Sequence, residues 1–448
     1  MLLTGIVVAA LVVSGAAAPQ TNDTDIHTGV LDGARYRVEV PPDWNGTLLL
    51  YHHGIYPRDY VPEQIELANR PEAADRLLDE GYALAASLYS KPYGFSARQA
   101  VRDQTALLGW FDRTVGTPDQ VVTWGASGGA LNAVLLSEHL PRRIDGVLAM
   151  CGPVAGGQAL FTQLLDYGFT VRTLLAPELE LVRIGDPEAN VAAAHRVLTR
   201  ALETPQGRAR LALAGALGGV PGWQRALQPR SAETAGQIRE QTRFVQLVLD
   251  ELIWGDLRTD LEAQAGGNPT GNTGVDYRRL LPRTSEHRLV REAYREAALD
   301  LSADLDALAA APRIAEDHGA ARWLVRHGTP TGHGSMPVAT LHPVGDGVAP
   351  AHERSYATRV EPARLRQLYV DRGGHCQHTA AEELTALRVV LRRVESGRWP
   401  VTAPAVLDAQ ARRYGPEYHR LYDWLHDEAG AAEPAFTRHH PRPLPRMS

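Results

Sequence analysis

Several residue types are scarce in this chain of 448 residues, and each shortage excludes a class of chemistry. Lys91 is the single lysine, so Schiff-base catalysis would depend on a residue that no neighbouring pattern marks as buried. The chain has two cysteines and no H-E-x-x-H motif, and we therefore expect no zinc site. Its net charge of −6 gives no reason to expect a nucleic-acid partner. We expect neither a cofactor nor a metal.

Long apolar runs are equally scarce, and the pronounced one stands at the N-terminus. Residues 1–18 read MLLTGIVVAALVVSGAAA, an apolar stretch with a small-residue end that is typical of a secretory signal peptide. No Lys or Arg precedes that stretch, so a retained N-terminal membrane anchor is the alternative. No later segment is apolar for long enough to cross a bilayer. We expect a secreted mature chain without a membrane span.

The most informative pattern is VVTWGASGGA at residues 121–130, where an apolar run leads into G-x-S-x-G. This pattern predicts a strand that turns sharply into a helix, with Ser127 at the tip of the turn and its hydroxyl exposed. Gly125 and Gly129 leave room where a Cβ would collide with the crossing strand and helix. The apolar segments on both sides favour this nucleophile elbow over an ordinary N-cap serine.

A general base and an orienting acid follow in chain order. Asp346 lies in a glycine-rich turn after an apolar strand at 337–342, and His375 follows the last apolar strand at 365–370. The order Ser127, Asp346, His375 is the one that this elbow architecture uses for a catalytic triad. Each residue taken alone is compatible with an ordinary cap, turn or loop position. Together, each after a predicted strand, they predict a triad.

On these motifs the chain resembles α/β-hydrolases over about residues 24–155 and 335–398. The segment Gly374-His375-Cys376, with Thr379 and Glu382-Glu383 behind it, is similar to secreted actinobacterial esterases and tripeptidyl-aminopeptidase-like hydrolases. The resemblance implies the α/β-hydrolase fold and serine hydrolase chemistry. It says little about the substrate.

An oxyanion hole needs two backbone donors, and the first is expected to be the N–H of Gly128, the residue after the nucleophile. The segment His52-His53-Gly54-Ile55 follows a predicted strand and resembles the family's His-Gly-x motif. That resemblance implies the N–H of Ile55 as the second donor, with Tyr56 as the alternative. We expect one of the two histidines to support this loop and neither to bind a metal.

The two cysteines are both predicted to lie at the catalytic edge of the sheet. Cys151 ends the strand after the elbow helix, and Cys376 directly follows His375. In an exported chain this placement predicts a Cys151–Cys376 disulfide that fixes the histidine loop, with a typical stabilisation of about 2–4 kcal/mol. Two buried free thiols are the alternative.

The rest of the chain predicts about eight strands in a mostly parallel, doubly wound sheet that begins with an antiparallel hairpin. The long segment before Pro337 is rich in helical patterns and predicts a helical cap inserted between strands 6 and 7. Its turn-rich stretch at 266–274 is interpreted either as a gating loop or as an ordinary surface loop. The predicted divisions are a signal peptide at 1–18, a catalytic core at 24–155 and 336–398, a cap at 156–335, a helical extension at 399–436 and a disordered tail at 437–448.

The sequence therefore predicts an exported serine hydrolase that cleaves a carboxylic ester or lactone through an acyl-enzyme. One alternative is an aminopeptidase or amidase that uses the same triad on a short peptide. That enzyme would need an anionic group for the substrate's ammonium, and Glu178, Glu180 and Asp250 of the cap are candidates. Another alternative is a lyase or cyclase that acts on a specialised metabolite. The oligomeric state is not predicted.

Overall fold

The computed structural model describes residues 24–446, and its centre is a nine-stranded sheet in the order β1-β2-β4-β3-β5-β6-β7-β8-β11. All neighbouring strands from β4 to β8 are parallel, while β1, β2 and β11 join antiparallel. A separate two-stranded ribbon pairs β9 with β10. The strands are β1 Asp25–Leu31, β2 Ala34–Val40, β3 Thr47–His52, β4 Ala83–Ser87, β5 Gln120–Ala126, β6 Gly146–Met150, β7 Val338–Gly345, β8 Leu365–Gly373, β9 Arg420–Asp423, β10 Glu428–Ala431 and β11 Phe436–Thr437.

The helices fall into three groups along the chain. Before the cap they are α1 Pro71–Asp79, α2 Ala97–Thr114 and α3 Gly128–His139. The cap contains α4 Gly157–Leu174, α5 Pro187–Glu203, α6 Pro205–Gly218, α7 Thr234–Phe244, α8 Asp250–Trp254, α9 Asp256–Ala265, α10 Tyr277–Leu280, α11 His287–Glu296, α12 Leu301–Ala310 and α13 His318–Gly328, with a π-helical turn at Val245–Leu249. After it come α14 Ala351–Ala357, α15 Ala380–Ser396 and α16 Pro404–Ala411.

Helices cover both faces of the sheet, because successive strand residues point to opposite sides. On β3, Leu48 and Leu50 pack in the cluster that includes α2 and α3. Leu49 and Tyr51 pack in the cluster that includes α1 and α15. With the cap inserted between β6 and β7, this is the predicted α/β-hydrolase fold. The strand count differs, since β11 adds a ninth strand to the eight that were expected.

The cap has an apolar core of its own, which contains Tyr167, Phe169 and Trp254. The turn-rich stretch at 266–274 is exposed at both ends, but its middle, residues 268–272, is buried and is not a surface loop. Its Asn268 is fully buried and accepts a hydrogen bond from the Arg258 guanidinium at 2.5 Å. The surface-loop interpretation was wrong for this middle part, because asparagine and glycine mark turns whether or not the turn is buried.

The segment after α15 corrects two predictions. Within the predicted helical extension at 399–436, Pro416–His419 is a short 3₁₀ turn that is followed by the β9–β10 ribbon. Burial along it alternates, with Leu421 and Leu425 at 3% and 4% exposure and Tyr422 and Trp424 at 49% and 44%. Burial therefore follows a period of two, with the buried Asp423 between the two leucines, whereas the spacing of Leu421, Trp424 and Leu425 resembles that of a helix.

The expected disordered tail at 437–448 is ordered as far as Arg446. Thr437 pairs with Tyr369 at the sheet edge, and Leu444 is buried at 1% exposure. The guanidinium of Arg446 donates to both carboxylate oxygens of the buried Asp166 on α4, at 2.7 and 2.9 Å. A buried carboxylate needs such a partner, and this ion pair fixes a tail whose own apolar content is low.

The predicted signal peptide at 1–18 lies outside the described residues. Within residues 24–446, no helix combines the length and the apolar content that crossing a membrane requires.

Candidate active site

Ser127 sits at the turn between β5 and α3 in a strained backbone conformation, with φ 57° and ψ −127°. The turn passes very close to the end of β3. A Cβ on Gly129 would lie 2.0 Å from the carbonyl oxygen of His52, and one on Gly125 would lie 2.6 Å from the same atom. Only glycine fits at these two positions, so the pattern of the elbow follows from its close contacts. The Ser127 N–H donates to the Met150 carbonyl at 2.9 Å, which ties the turn to β6.

The structure brings the three predicted residues into one hydrogen-bonded chain. Oγ of Ser127 lies 2.8 Å from Nε2 of His375. Nδ1 of His375 lies 2.7 Å from Oδ1 of Asp346. With Nδ1 protonated and donating to the carboxylate, Nε2 is free to accept the hydroxyl proton of Ser127. The arrangement can act as a nucleophile, a base and an orienting acid.

Asp346 is fully buried, and its two oxygens are held from the backbone. The N–H of Val348 donates to Oδ1 at 2.7 Å, and the N–H of Cys376 donates to Oδ2 at 2.9 Å. These two hydrogen bonds fix the orientation of the carboxylate toward His375. The acid turn and the histidine loop therefore position each other.

The predicted disulfide between Cys151 and Cys376 is present, with the two Cα atoms 5.2 Å apart. It joins the end of β6 to the residue beside His375. Both cysteines have left-handed backbone, with φ 51° and 56°, so strained residues are concentrated at this edge of the sheet. The sulfurs also lie near Asp346, but two bonded sulfurs cannot act as thiolate metal ligands.

A second support of the histidine loop is the buried ion pair between Arg372 and Glu382. The guanidinium donates to the two carboxylate oxygens at 2.6 and 3.1 Å and to the carbonyl of Gln377 at 3.1 Å. Glu382 also completes a capping box with Thr379 at the start of α15. Although burial would raise it, the pKa of Glu382 is lowered, because Arg372 and the backbone donors favour the ionised carboxylate. The sequence signal that could have revealed this support is the capping-box spacing of Thr379 and Glu382.

Ile55 and Gly128, the two predicted oxyanion donors, line one cavity with Ser127. Within residues 24–446, neither backbone N–H has a hydrogen-bond partner. His53 is the histidine that supports the loop, and burial lowers its pKa to about 4. Its Nδ1 lies 2.7 Å from the carbonyl of Gly54. Because a peptide's N–H and C=O point in opposite directions, this bond also fixes the direction of the Ile55 N–H.

Aromatic rings hold His53 in place. It stacks between Tyr56 and Tyr89, with ring centroids 4.3 and 4.1 Å away. His52 points elsewhere, and its Nε2 lies 2.9 Å from the Thr123 hydroxyl. Burial lowers the pKa of His52 to about 3, so both imidazoles are neutral near neutral pH. Neither faces a set of metal-binding side chains within the described part of the chain.

A cavity of about 390 Å³ opens over Ser127 and His375, and the cap forms its far wall. The π-helical turn brings Leu247, Val248 and Leu249 to this wall. The lining continues into α8 with Asp250, Glu251 and Leu252. The sequence analysis missed both this turn and Trp424, which the β9–β10 ribbon adds to the cavity mouth.

The ionisable side chains that line the cavity are mostly acidic. Glu66, Asp250 and Glu251 line it, and His375 is the sole lining side chain in the described part of the chain that can carry positive charge. Burial raises the pKa of both Asp250 and Glu251. Asp250 is paired with His195 at 2.7 Å, outside the cavity lining. Of the carboxylates that the sequence suggested for an ammonium site, Glu178 and Glu180 do not line the cavity and Asp250 does.

No protein-family model matches the chain. The o-phthalyl amidase of Xanthobacter agilis is 26% identical over 418 residues, which cover 85% of this chain and 89% of that protein. Among solved structures, Est1E of Butyrivibrio proteoclasticus is 10% identical and matches 83% of this chain and 99% of its own at a TM-score of 0.36. An esterase of Pyrococcus furiosus is 11% identical and matches 86% of this chain and 96% of its own at a TM-score of 0.39. The similarity to the amidase spans most of both sequences.

Proposed function

We propose that this chain is an exported serine hydrolase that cleaves a small carboxylic ester or lactone through an acyl-enzyme on Ser127. The observation that carries this proposal is the hydrogen-bonded chain from Ser127 through His375 to Asp346 at the floor of an open cavity. Similarity to an amidase supports hydrolase chemistry in general. The Cys151–Cys376 disulfide is compatible with export, because disulfides persist in oxidising compartments.

His375 takes the Ser127 proton as the hydroxyl oxygen attacks the substrate carbonyl. Asp346 stabilises the imidazolium that forms. The tetrahedral oxyanion accepts hydrogen bonds from the N–H groups of Ile55 and Gly128. His375 then returns the proton to the leaving oxygen, and the acyl group stays on Ser127. A water molecule, deprotonated by His375, releases the acid and restores the serine.

An amide is the second candidate for the scissile bond, because the relative with 26% identity is named an amidase. The charge of the acyl group in that name is a poor match for this cavity. A phthalyl group carries a second carboxyl beside its carbonyl, and here it would meet Asp250 and Glu251 without a fixed cation to receive it. We infer that this chain takes acyl groups without negative charge.

Labelling with a fluorophosphonate, followed by peptide mass spectrometry, tests the proposed nucleophile. We expect the label on Ser127 in the wild type and none in Ser127→Ala. Turnover without labelling at Ser127 would rule out the acyl-enzyme and favour the lyase or cyclase alternative.

Matched substrates test the bond and the acyl charge. A nitrophenyl benzoate and the corresponding nitroanilide differ only in the atom that leaves, and we expect faster cleavage of the ester. Adding an ortho carboxylate to the benzoyl group should lower kcat/KM by at least about tenfold. Equal or faster cleavage of the carboxylated substrate would contradict the inferred acyl charge and leave the nucleophile unaffected.

A further inference from the structure

A third histidine lies behind the acid of the triad. His342 is on β7, four residues before Asp346, and it is fully buried. Its Nε2 lies 2.8 Å from the carbonyl oxygen of Val348 and 3.9 Å from Oδ2 of Asp346. Its Nδ1 lies 3.0 Å from Oε1 of Glu353 on α14. The carboxylate of Asp346 is therefore placed between two imidazoles, those of His375 and His342.

The partners of His342 determine where its protons are. A carbonyl oxygen only accepts, so Nε2 must carry a proton toward Val348. The carboxylate of Glu353 also accepts, and its second oxygen already receives the side-chain amide of Gln367 at 3.2 Å. With Glu353 ionised, Nδ1 carries a proton as well, and the ring is then an imidazolium paired with Glu353.

His342 is connected to the triad through the backbone of Val348. Val348, which accepts from His342 through its carbonyl, donates through its N–H to Oδ1 of Asp346. That same oxygen accepts from His375. His342 therefore holds the acid turn in place and presents a positive charge to the side of Asp346 that is turned away from His375.

We infer that His342 is a positioning residue whose imidazolium weakens the hold of Asp346 on a protonated His375, so that His375 remains an unprotonated base at lower pH. This inference depends on the proposed function, because it assigns His375 as the base for Ser127. A positive charge beside Asp346 offsets part of the attraction between that carboxylate and the His375 imidazolium. Burial alone would lower the pKa of His342, but Glu353 and Asp346 outweigh burial and raise it.

The other titratable groups around His342 do not replace its charge. His352 on α14 is buried and neutral, because burial lowers its pKa to about 3. Burial also lowers the pKa of His439, which reaches this region from the tail. The two carboxylates that face His342 are Asp346 and Glu353. Removing the charge of His342 therefore takes away an imidazolium whose Nε2 lies 3.9 Å from Oδ2 of Asp346.

The test measures the pH dependence of nitrophenyl ester cleavage and of fluorophosphonate labelling at Ser127. In His342→Gln, the acid limb of both profiles should move to higher pH by about half a unit. The double variant H342Q/E353Q removes both charges and leaves two amides that can still hydrogen-bond. The melting temperature of the double variant should be closer to that of the wild type than the melting temperature of H342Q is. Its acid limb should stay at the higher pH.

The matched control is His352→Gln, which removes a neutral buried imidazole from the same region and should leave the acid limb in place. If the variants lose activity or stability with no movement of the limb, His342 has only a structural role and the inference is wrong. Absence of labelling at Ser127 in the wild type would instead overturn the proposed function. The two failures are therefore distinguishable.

Discussion

The two walls of the cavity are built in opposite ways. On the core side, Ser127, Asp346 and His375 are held by short hydrogen bonds, by a disulfide and by close backbone contacts. On the cap side, the wall is a π-helical turn with an exposed Leu247, and Trp424 stands at the mouth. In the proposed function, the core side would fix the geometry of the reaction, and the cap side would select what enters.

The largest effects should come from the core side. Ser127→Ala and His375→Ala should each lower kcat by roughly 10⁴-fold or more, and Asp346→Asn should leave a trace of activity. Steady-state kinetics with a nitrophenyl ester measure this. The control is Ser137→Ala, which removes a buried serine from α3, the helix that follows Ser127, and this variant should retain activity. Wild-type rates in any of the three variants would contradict the assigned triad.

Next in size is the loss of the disulfide. The paired substitution C151S/C376S should lower the free energy of unfolding by about 5 kcal/mol, because the disulfide closes a loop across 225 residues and so restricts the unfolded chain. Denaturant unfolding under non-reducing conditions measures the change. Wild-type protein treated with a reductant should lose the same amount, while reductant should not affect the double variant. An unchanged midpoint in the double variant would show that hydrogen bonds alone hold the histidine loop.

A smaller loss is expected for Glu382→Gln, which leaves the buried Arg372 without its carboxylate. We expect about 3 kcal/mol lower stability near neutral pH. Since the folded-state pKa of Glu382 is lowered, its contribution is present above the unfolded value of about 4.3 and is lost as pH falls below it. The difference between wild type and variant should therefore shrink in acid. Glu395→Gln, an exposed glutamate on the same helix, should show no such difference.

The smallest effects belong to the cap side. Leu247→Ala and Trp424→Ala should raise KM for an apolar ester about fivefold and change kcat by less than about twofold, because they remove binding surface without touching the reacting atoms. Val325→Ala removes a similarly exposed apolar side chain that does not line the cavity, and serves as the control. A loss of kcat in Trp424→Ala comparable to that in Asp346→Asn would contradict the proposal that the two walls have different roles.

The sequence predicted the core side far better than the cap side, for a physical reason. Ser127, Asp346 and His375 each follow a strand, and the carboxyl ends of parallel strands meet at one edge of the sheet. Strand order alone therefore brings them close together. The glycines of the elbow add a local signal, because a Cβ there would collide with β3.

The elements that were missed depend on contacts between distant segments. The ribbon that carries Trp424 has apolar spacing compatible with both a helix and a strand. Which of the two forms depends on which of its residues pack against the rest of the protein. The tail is ordered by Arg446, whose partner Asp166 lies 280 residues earlier in the chain. The π turn at Val245–Leu249 has no composition that distinguishes it from α-helix. Neither periodicity nor turn residues report such long-range pairing.

The Cys151–Cys376 bond has a consequence for proteolysis. Every cap residue lies between these two cysteines in the sequence, so the cap is part of a closed covalent ring. A protease that cuts an exposed cap loop once leaves two fragments that remain one molecule. The nicked protein would migrate as intact on a non-reducing gel and as two bands after reduction, with its serine and histidine still tethered to each other.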